Sequence, residues 1–399
     1  YVLGSLALYM VGALACGLAT DMLQFSIARA LQALGGATFF TAARMQVNLF
    51  SGPARLVSLR LFVMGIFAGS MLAPVLCAWL LAIADWRWLF WIMLLPSLAA
   101  MGMTARLLPE KAAQQPGRSQ PHVGGLLMLT AAVFLLQFML ERLPYELLLA
   151  PRELLLLGGL GLAGITAFVM HEWHRPNPLL GYRHFINRRY VSGIAVFFFC
   201  YLVAASNGYI LPLLLSHKFG MSLQQAGWWL AVPFLVCMGT LNLAISLANK
   251  YPGARKFLQA SLLLLACYAA GMLFMPAQMA PWHLALLLIV FGASSTFGME
   301  AAAQTALKGI DTDVFSDAYQ TKNIVREVAL ACGIALATLF GETGHTLPLS
   351  TVPGVNGTSQ GYFLVLAAGA LLLLLLTTGE GWVRRWRARA TALAATGRA

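Results

Sequence analysis

Charge is what this sequence has least of. Of its 399 residues only 10% are Asp, Glu, Lys or Arg, and just 14 are acidic. A soluble globular chain carries about 25% charge, so too few charges are present to clothe a water-facing surface. Strand-period alternation is also missing, which excludes a β-barrel. No HExxH motif, no nucleophile paired with a base and no loop large enough for a catalytic domain is found, so the sequence does not read as an enzyme. No nucleic-acid-binding motif accompanies the net charge of +12. The six cysteines, Cys16, Cys77, Cys200, Cys237, Cys267 and Cys332, lie inside apolar runs without metal-ligand spacing and read as small packing residues. His171 and His174 in "HEWH" read as an interfacial helix end, not a metal site, and the "NGT" at 356–358 carries little weight as a glycosylation signal. No metal or other cofactor is implied.

What the sequence does have is apolar length. It is 60% hydrophobic, with mean hydropathy +0.76. A membrane-crossing helix needs about 20 mostly apolar residues. Twelve such runs are expected, at roughly 1–19, 24–49, 57–83, 88–106, 122–140, 153–171, 190–215, 223–248, 257–275, 282–306, 319–341 and 360–378. The fold class predicted is therefore an all-α polytopic membrane protein embedded in the lipid bilayer.

The loops between the runs alternate in charge. One set holds Arg55, Arg60, Arg106, Lys111, Arg118, Arg175, Arg183, Arg188, Arg189, Lys250, Arg255 and Lys256, and the tail "GWVRRWRARA" belongs with it. The opposite set holds only Arg87, Arg142, Arg152 and Lys218. Cytoplasmic loops carry the excess of Lys and Arg, so the first set and the C-terminus are predicted to be cytoplasmic. The polar stretch 110–122 and the basic stretch 171–189 bracket two helices with few polar interior residues beyond Gln137. Four organisational parts are expected: 1–108 as an N-terminal helix bundle, 109–185 as a linker carrying two extra membrane helices, 186–378 as a six-helix C-terminal bundle and 379–399 as a basic tail.

Within the runs, a few residues carry a pattern. Residues 29–37 read "RALQALGGA", with Arg29 and Gln32 one turn apart and Gly35 and Gly36 after them. In the next run Gly65, Gly69, Ala73 and Cys77 recur every four residues, which puts small side chains on one helix face and lets another backbone approach. Pro74 should kink that helix. These stretches resemble the major facilitator superfamily and, within it, the 14-helix drug:proton antiporters of the EmrB/QacA type. The fourth-helix motif of that family matches at Arg29, Gln32, Gly35, Gly36 and Ala37. Its antiporter motif matches in proline and in side-chain size, with Ala73-Pro74 and Cys77-Ala78 standing where the family has glycines. The "WRWLF" at 86–90 resembles the start of the family's sixth helix. "NPLLGYRHFINRRY" resembles the basic stretch before its ninth helix. Leu211, Pro212, Gly220, Ala226, Gly227 and Pro233 fall in register with its ninth-to-tenth-helix passage. "NKYPGARK" resembles a decayed copy of its Gly/Asp/Arg loop, with Asn249 and Lys250 in place of the acidic-basic pair.

The resemblance implies a major facilitator fold with 12 of a likely 14 helices present and two more expected ahead of residue 1, where the chain starts without methionine inside an apolar run. It also implies alternating access, with export of hydrophobic or amphipathic compounds such as drugs in exchange for protons across a bacterial cytoplasmic (inner) membrane. Uptake by proton symport is the alternative, and a membrane enzyme or sensor a more distant one. Some Gram-negative relatives work with a periplasmic adaptor and an outer-membrane channel, so those are candidate partners beside the small-molecule substrate and protons.

Ionisable residues at membrane depth are costly and are functional candidates by default. Arg29, Glu327, Arg326 and Glu300 are therefore the candidate proton-coupling residues. Arg29 is expected to balance an acidic residue of the family's first helix, while Arg44, near a helix end, can reach the headgroups. Gln32, Gly35, Gly36, Gly65, Gly69, Ala73 and Pro74 are candidates for the conformational motifs. Asn207, Tyr201 and Tyr209, on the aromatic-rich segment around "AVFFFCYLVAAS", are candidates for lining a substrate cavity.

Overall fold

A computed structural model describes residues 2–107 except 49, 123–175 except 148, 178, 181–250, 254–276, 280–342 and 360–378. The basic tail, the 110–122 linker and the 356–358 "NGT" lie outside the described residues. Every regular element among the described residues is helical: α1 (Val2–Leu18), α2 (Met22–Gly36), α3 (Phe39–Asn48), α4 (Gly52–Ile83), α5 (Trp88–Trp91), α6 (Leu94–Leu107), α7 (Val123–Glu146), α8 (Pro151–Trp173), α9 (Tyr182–Phe185), α10 (Arg188–Leu213), α11 (Leu223–Lys250), α12 (Ala254–Leu273), α13 (Pro281–Leu307), α14 (Thr312–Glu342) and α15 (Gln360–Thr378). Lipid offers no hydrogen bonds to a bare backbone, and a helix satisfies its own. Ten helices among the described residues are long and apolar enough to cross a membrane. Leucines such as Leu155 and Leu156 stand 76% and 65% exposed on them, as a lipid-facing surface requires.

The helix ends follow local chemistry. Asp21 caps α2 by accepting from Gln24 N at 2.8 Å, and Asn187 caps α10 by accepting from Arg189 N and Tyr190 N at 3.0 and 2.9 Å. Proline opens α8 and α13, where its missing N–H costs nothing. Pro212, inside α10, is followed by a π-helical turn over Leu214–Lys218, the kind of bulge that absorbs a missing backbone bond. Ser216 Oγ donates back to Pro212 O at 3.0 Å there.

Two expected spans come out differently. The run predicted over 24–49 is divided into α2 and α3 by a turn at Ala37–Thr38, straight after Gly35-Gly36, where two poor helix formers weaken the ladder. The run predicted over 88–106 is divided into α5 and α6 just ahead of Pro96, which has no N–H to continue the ladder. The second still reads as a single apolar span, Trp88–Leu107.

The chain forms two compact units. The first comprises residues 1–118 together with 221–238. Its centre is α1, packed on α2, α5 and α6. The approach is close because of glycine: a Cβ at Gly12 would lie 2.4 Å from Gln32 N, and one at Gly35 would lie 2.4 Å from Tyr9 N. Gly17 receives the Trp91 indole in the same way.

The second unit comprises residues 119–220 and 239–399. In it α10 packs on α13 and α14, α12 on α13, and α7 on both α8 and α14. Gly193 makes room for Ala306 N, and Gly333 for Leu202 O, so α13 and α14 each lie against α10 at backbone distance. Phe168, Tyr182, Phe185, Tyr190, Ala306 and Ala318 form a buried cluster joining α8, α9, α10, α13 and α14. Burial pushes the Tyr182 hydroxyl up to about 12, with the Glu172 carboxylate adding to the effect.

Candidate functional site

In the first unit the Arg29 motif has a defined geometry. Arg29 Nη1 donates to Gln32 Oε1 at 2.6 Å, and the guanidinium carbon lies 5.6 Å from the Phe90 ring centre. Gln32 is 4% exposed and its Oε1 also lies 3.9 Å from Cys16 Sγ on α1. The "WRWLF" run meets α2 through Phe25, whose ring is 5.6 Å from Trp86 and 5.5 Å from Phe90, both edge-on. Arg29 itself is exposed, so the guanidinium is held at the edge of the α1–α2 pair rather than buried within it. Gly36 faces the Tyr9 ring at ordinary contact distance.

The small-residue stripe on α4 behaves unevenly. A Cβ at Gly65 or Gly69 would meet nothing within 4 Å among the described residues, so no described helix uses those two for close approach. The approach falls further along the helix, beyond Gly69, where a Cβ on Gly227 of α11 would come within 2.9 Å of Pro74 O and Ala78 Cβ. Pro74 leaves α4 continuous from Gly52 to Ile83.

In the second unit the expected ionisable residues sit on α13 and α14. Arg326 pairs with its neighbour Glu327, and Nε donates to Glu327 Oε1 at 3.1 Å. Arg326 is 14% exposed and Glu327 62%. The expectation of a carboxyl enclosed at depth is therefore corrected: consecutive residues leave a helix about 100° apart, and the α14 backbone turns Arg326 inward and Glu327 outward. Glu300 is exposed and accepts from Gln304 Nε2 at 3.0 Å. Both residues border an apolar groove lined by Leu241, Ala244, Ile245, Phe257 and Phe297.

Asn207 also departs from expectation. It is 1% exposed, its Oδ1 accepts from Tyr268 at 2.8 Å and its Nδ2 donates to Val203 O at 3.0 Å. It is a core residue joining α10 to α12, not a cavity wall, because both of its polar atoms are already used inside the protein. Beside it Ser206 and Tyr362 share a hydrogen bond of 2.7 Å. Tyr209 is half-buried. Tyr201 stacks at a tilt on Phe197, 4.6 Å between ring centres.

One residue was not singled out from the sequence. Lys322 on α14 is 6% exposed, and its Nζ lies 4.4 Å from the Tyr319 ring centre and 4.8 Å from that of Phe197. The signal was present in "YQTKNIVRE": Tyr319, Lys322, Asn323 and Arg326 follow i, i+3, i+4, i+7 and share one helix face.

Ten apolar helical spans, with no regular strand among the described residues, define a polytopic membrane protein. The family profile described as Major Facilitator Superfamily matches residues 1–314. The chain belongs to the major facilitator superfamily, a family of transporters, not enzymes. The relative named "Putative multidrug resistance protein MdtD" from Klebsiella pneumoniae (strain 342) is 26% identical over 339 residues, covering 84% of this chain and 70% of that protein. The "Multidrug resistance protein B homolog" of Mycobacterium tuberculosis (strain ATCC 25618 / H37Rv) is 28% identical over 313 residues, covering 76% of this chain and 57% of that protein. Among solved structures, a POT family transporter in complex with a thioalcohol conjugated peptide has a TM-score of 0.68 at 11% identity, covering 94% of this chain and 80% of that one. That likeness is one of fold.

Proposed function

We propose that the protein exports hydrophobic or amphipathic compounds in exchange for protons, as a 14-helix drug:proton antiporter of the bacterial inner membrane. The observation that carries the reading is the Arg29–Gln32–Gly35 constellation, with the guanidinium bonded to Gln32 while Gly12 and Gly35 bring α1 and α2 to backbone contact. It resembles the family's fourth-helix motif, here with its two helices packed closely. The names of the Klebsiella and Mycobacterium relatives support drugs as the cargo class. In this reading α7 and α8 are the two extra helices of the 14-helix type, and the Arg-rich loops and tail are cytoplasmic.

Transport needs no covalent step. Two states of the bundle interconvert, and cargo and protons shift the balance only by binding one state better than the other. Arg29, Arg326, Glu327 and Glu300 are the charges proposed to respond to protons. Gln32, Gly35, Gly36, Gly65, Gly69, Ala73 and Pro74 are proposed to set how the helices slide. Everted membrane vesicles bearing the full-length protein test this. With an inside-acid gradient they should accumulate a fluorescent dye such as rhodamine 6G, and a protonophore should abolish the uptake. Dye loss from the vesicles, driven by the same gradient, would indicate proton-coupled uptake by the cell and overturn the export reading.

A further inference from the structure

Glu300 brings a charge to an otherwise apolar groove. It lies on the membrane-crossing α13, where a charged side chain is costly and marks function by default. The groove is walled by Leu241, Ala244 and Ile245 of α11, Phe257 of α12 and Phe297 of α13, and Glu300 is the charged residue among the described residues that line it. Its carboxylate accepts from the neutral amide of Gln304, one turn on, at 3.0 Å. An ionised carboxylate has about four acceptor sites, so that one bond leaves capacity unused. Gln304 also lines the groove. Having given its Nε2 to Glu300, it keeps its Oε1 as a second acceptor. Of the cations nearest in sequence to Phe257, Arg255 donates to Thr377 O of α15 and Lys256 is exposed, and neither lines the groove.

The walls are fixed to one another. Thr240 Oγ1 donates to Thr296 Oγ1 at 3.0 Å, which ties α11 to α13 one residue before Leu241 and Phe297. Ser261 Oγ donates to Ser294 O at 2.8 Å and ties α12 to α13. A Cβ at Gly298 would lie 2.3 Å from Ser261 Oγ, so those two helices meet with nothing between them. The Phe257 and Phe297 rings lie parallel, 9° apart in plane and 6.2 Å between centres. Groups carried on such locked helices hold their geometry, as a binding site needs.

Charge and size select the ligand. A carboxylate beside aromatic rings suits a cation, because ring faces carry partial negative charge. The groove offers about 30 Å³, roughly two to three times the room that one water molecule needs. That seats a head of roughly one or two heavy atoms, so a –CH2–NH3+ group fits and a trimethylammonium does not. The apolar walls take a hydrocarbon chain. An aminophospholipid is a poorer match, since its phosphate would lie near the Glu300 carboxylate with no cation among the described lining residues to receive it. We propose that this groove binds a single-chain amphipathic primary amine. Its ammonium donates to Glu300 and to the Gln304 Oε1, and its chain lies along Phe257, Phe297 and Leu241. The proposal deepens the export reading and rests on it only where the amine is called cargo; the binding claim stands by itself.

The test compares three probes with one chain and different heads: n-octylamine, octyltrimethylammonium and octanol. Isothermal titration of the full-length protein in phosphatidylcholine nanodiscs, with empty nanodiscs subtracted, measures each affinity without any gradient. Wild-type protein should bind octylamine at least about tenfold more tightly than either of the others, the value of one charge-assisted hydrogen bond. Glu300→Gln keeps the shape and removes the charge, and should weaken octylamine binding by about tenfold while leaving octanol unchanged. Phe297→Leu should weaken octylamine in the same direction, and it carries the test if Glu300→Gln fails to fold. Absence of octylamine binding in wild type, equal affinity for the three probes, or unchanged octylamine affinity in both variants would overturn the site. Loss of octylamine binding when phosphatidylethanolamine replaces phosphatidylcholine would make a lipid headgroup the occupant and overturn the free amine. Octylamine bound through Glu300 by a protein that moves no dye against a proton gradient would overturn export while leaving the site in place. Dye export without octylamine binding would do the reverse.

Discussion

The Tyr268 hydroxyl donates to Asn207 Oδ1 at 2.8 Å, with the two residues 0% and 1% exposed. This bond ties α12 to α10 in a setting where water cannot replace a lost partner. Tyr268 is fixed further by stacking on Phe291 at 4.9 Å and by the edge-on Phe363 at 6.0 Å. Asn207→Leu should therefore lower stability by about 0.6–2 kcal/mol, the range found for hydrogen bonds between membrane helices. Tyr268→Phe should cost a similar amount, and the double variant less than the sum, because no orphaned group remains. Thermal unfolding of the detergent-solubilised protein measures all three. Full additivity would mean that the two side chains do not act as a pair.

The glycines make a sharper contrast. At Gly12 and Gly35 a new Cβ would strike the backbone of the facing helix at 2.4 Å, and a backbone cannot swing aside. Gly12→Ala and Gly35→Ala should each cost about 1–3 kcal/mol, as overpacking does. Gly65→Ala and Gly69→Ala meet open space and should leave stability unchanged, or raise it by about 0.5–1 kcal/mol through helix propensity. Thermal unfolding separates the two pairs, and equal losses at all four sites would contradict the packing described. Dye efflux adds a second readout. Lost transport at unchanged stability in Gly65→Ala would support a role in the conformational cycle.

How much of this was legible beforehand depends on the kind of signal. Apolar run length is a local property, and α7, α8, α13 and α15 fall close to where the runs lie. The Arg29 motif was legible because Arg29, Gln32 and Gly35 share one helix turn pattern. The partners of that motif were not legible: nothing in "YVLGSLALYMVG" shows that Gly12 rather than Gly4 meets Gln32. Asn207 looked like a cavity residue because its bond to Tyr268 is invisible until α12 is laid beside α10. Lys322 is masked in the sequence by the more conspicuous Arg326–Glu327 pair, and its cover, Phe197, comes from a distant helix. The turn after Gly36 and the break before Pro96 were readable from propensity, but a continuous apolar run masked them.

Glu327 supplies the third prediction. Its carboxylate holds Arg326 from the outer side of α14. Glu327→Gln keeps shape and hydrogen-bonding capacity but cannot neutralise Arg326 or exchange a proton. Helical content and melting temperature should change little, since exposed ion pairs contribute about 0–1 kcal/mol. Proton-driven dye transport should fall, and its dependence on external pH should flatten. A variant whose transport keeps the wild-type pH dependence would make Glu327 a structural residue that only orients Arg326.

Arg29 separates charge from geometry. Its Nη1 bonds Gln32 Oε1 at 2.6 Å while the guanidinium lies 5.6 Å from the Phe90 ring centre. The planar fork can donate to Gln32 and still present further N–H groups to another acceptor, which a single ammonium does less well. Arg29 is exposed, so its removal should cost little stability, within about 0.5 kcal/mol as for most surface substitutions. Its effect on transport should be large. In the full-length protein Arg29→Ala should abolish proton-driven efflux, and Arg29→Lys should keep part of it, because the charge remains while the fork is lost. Gln32→Leu should fall between them, since it frees the guanidinium without deleting it and leaves the Gly12 and Gly35 contacts intact. Everted vesicles with an inside-acid gradient read all three variants against one wild-type trace. Normal efflux in Arg29→Ala would reduce the motif to packing between α1 and α2, and the proton-coupling role proposed for Arg29 would fall.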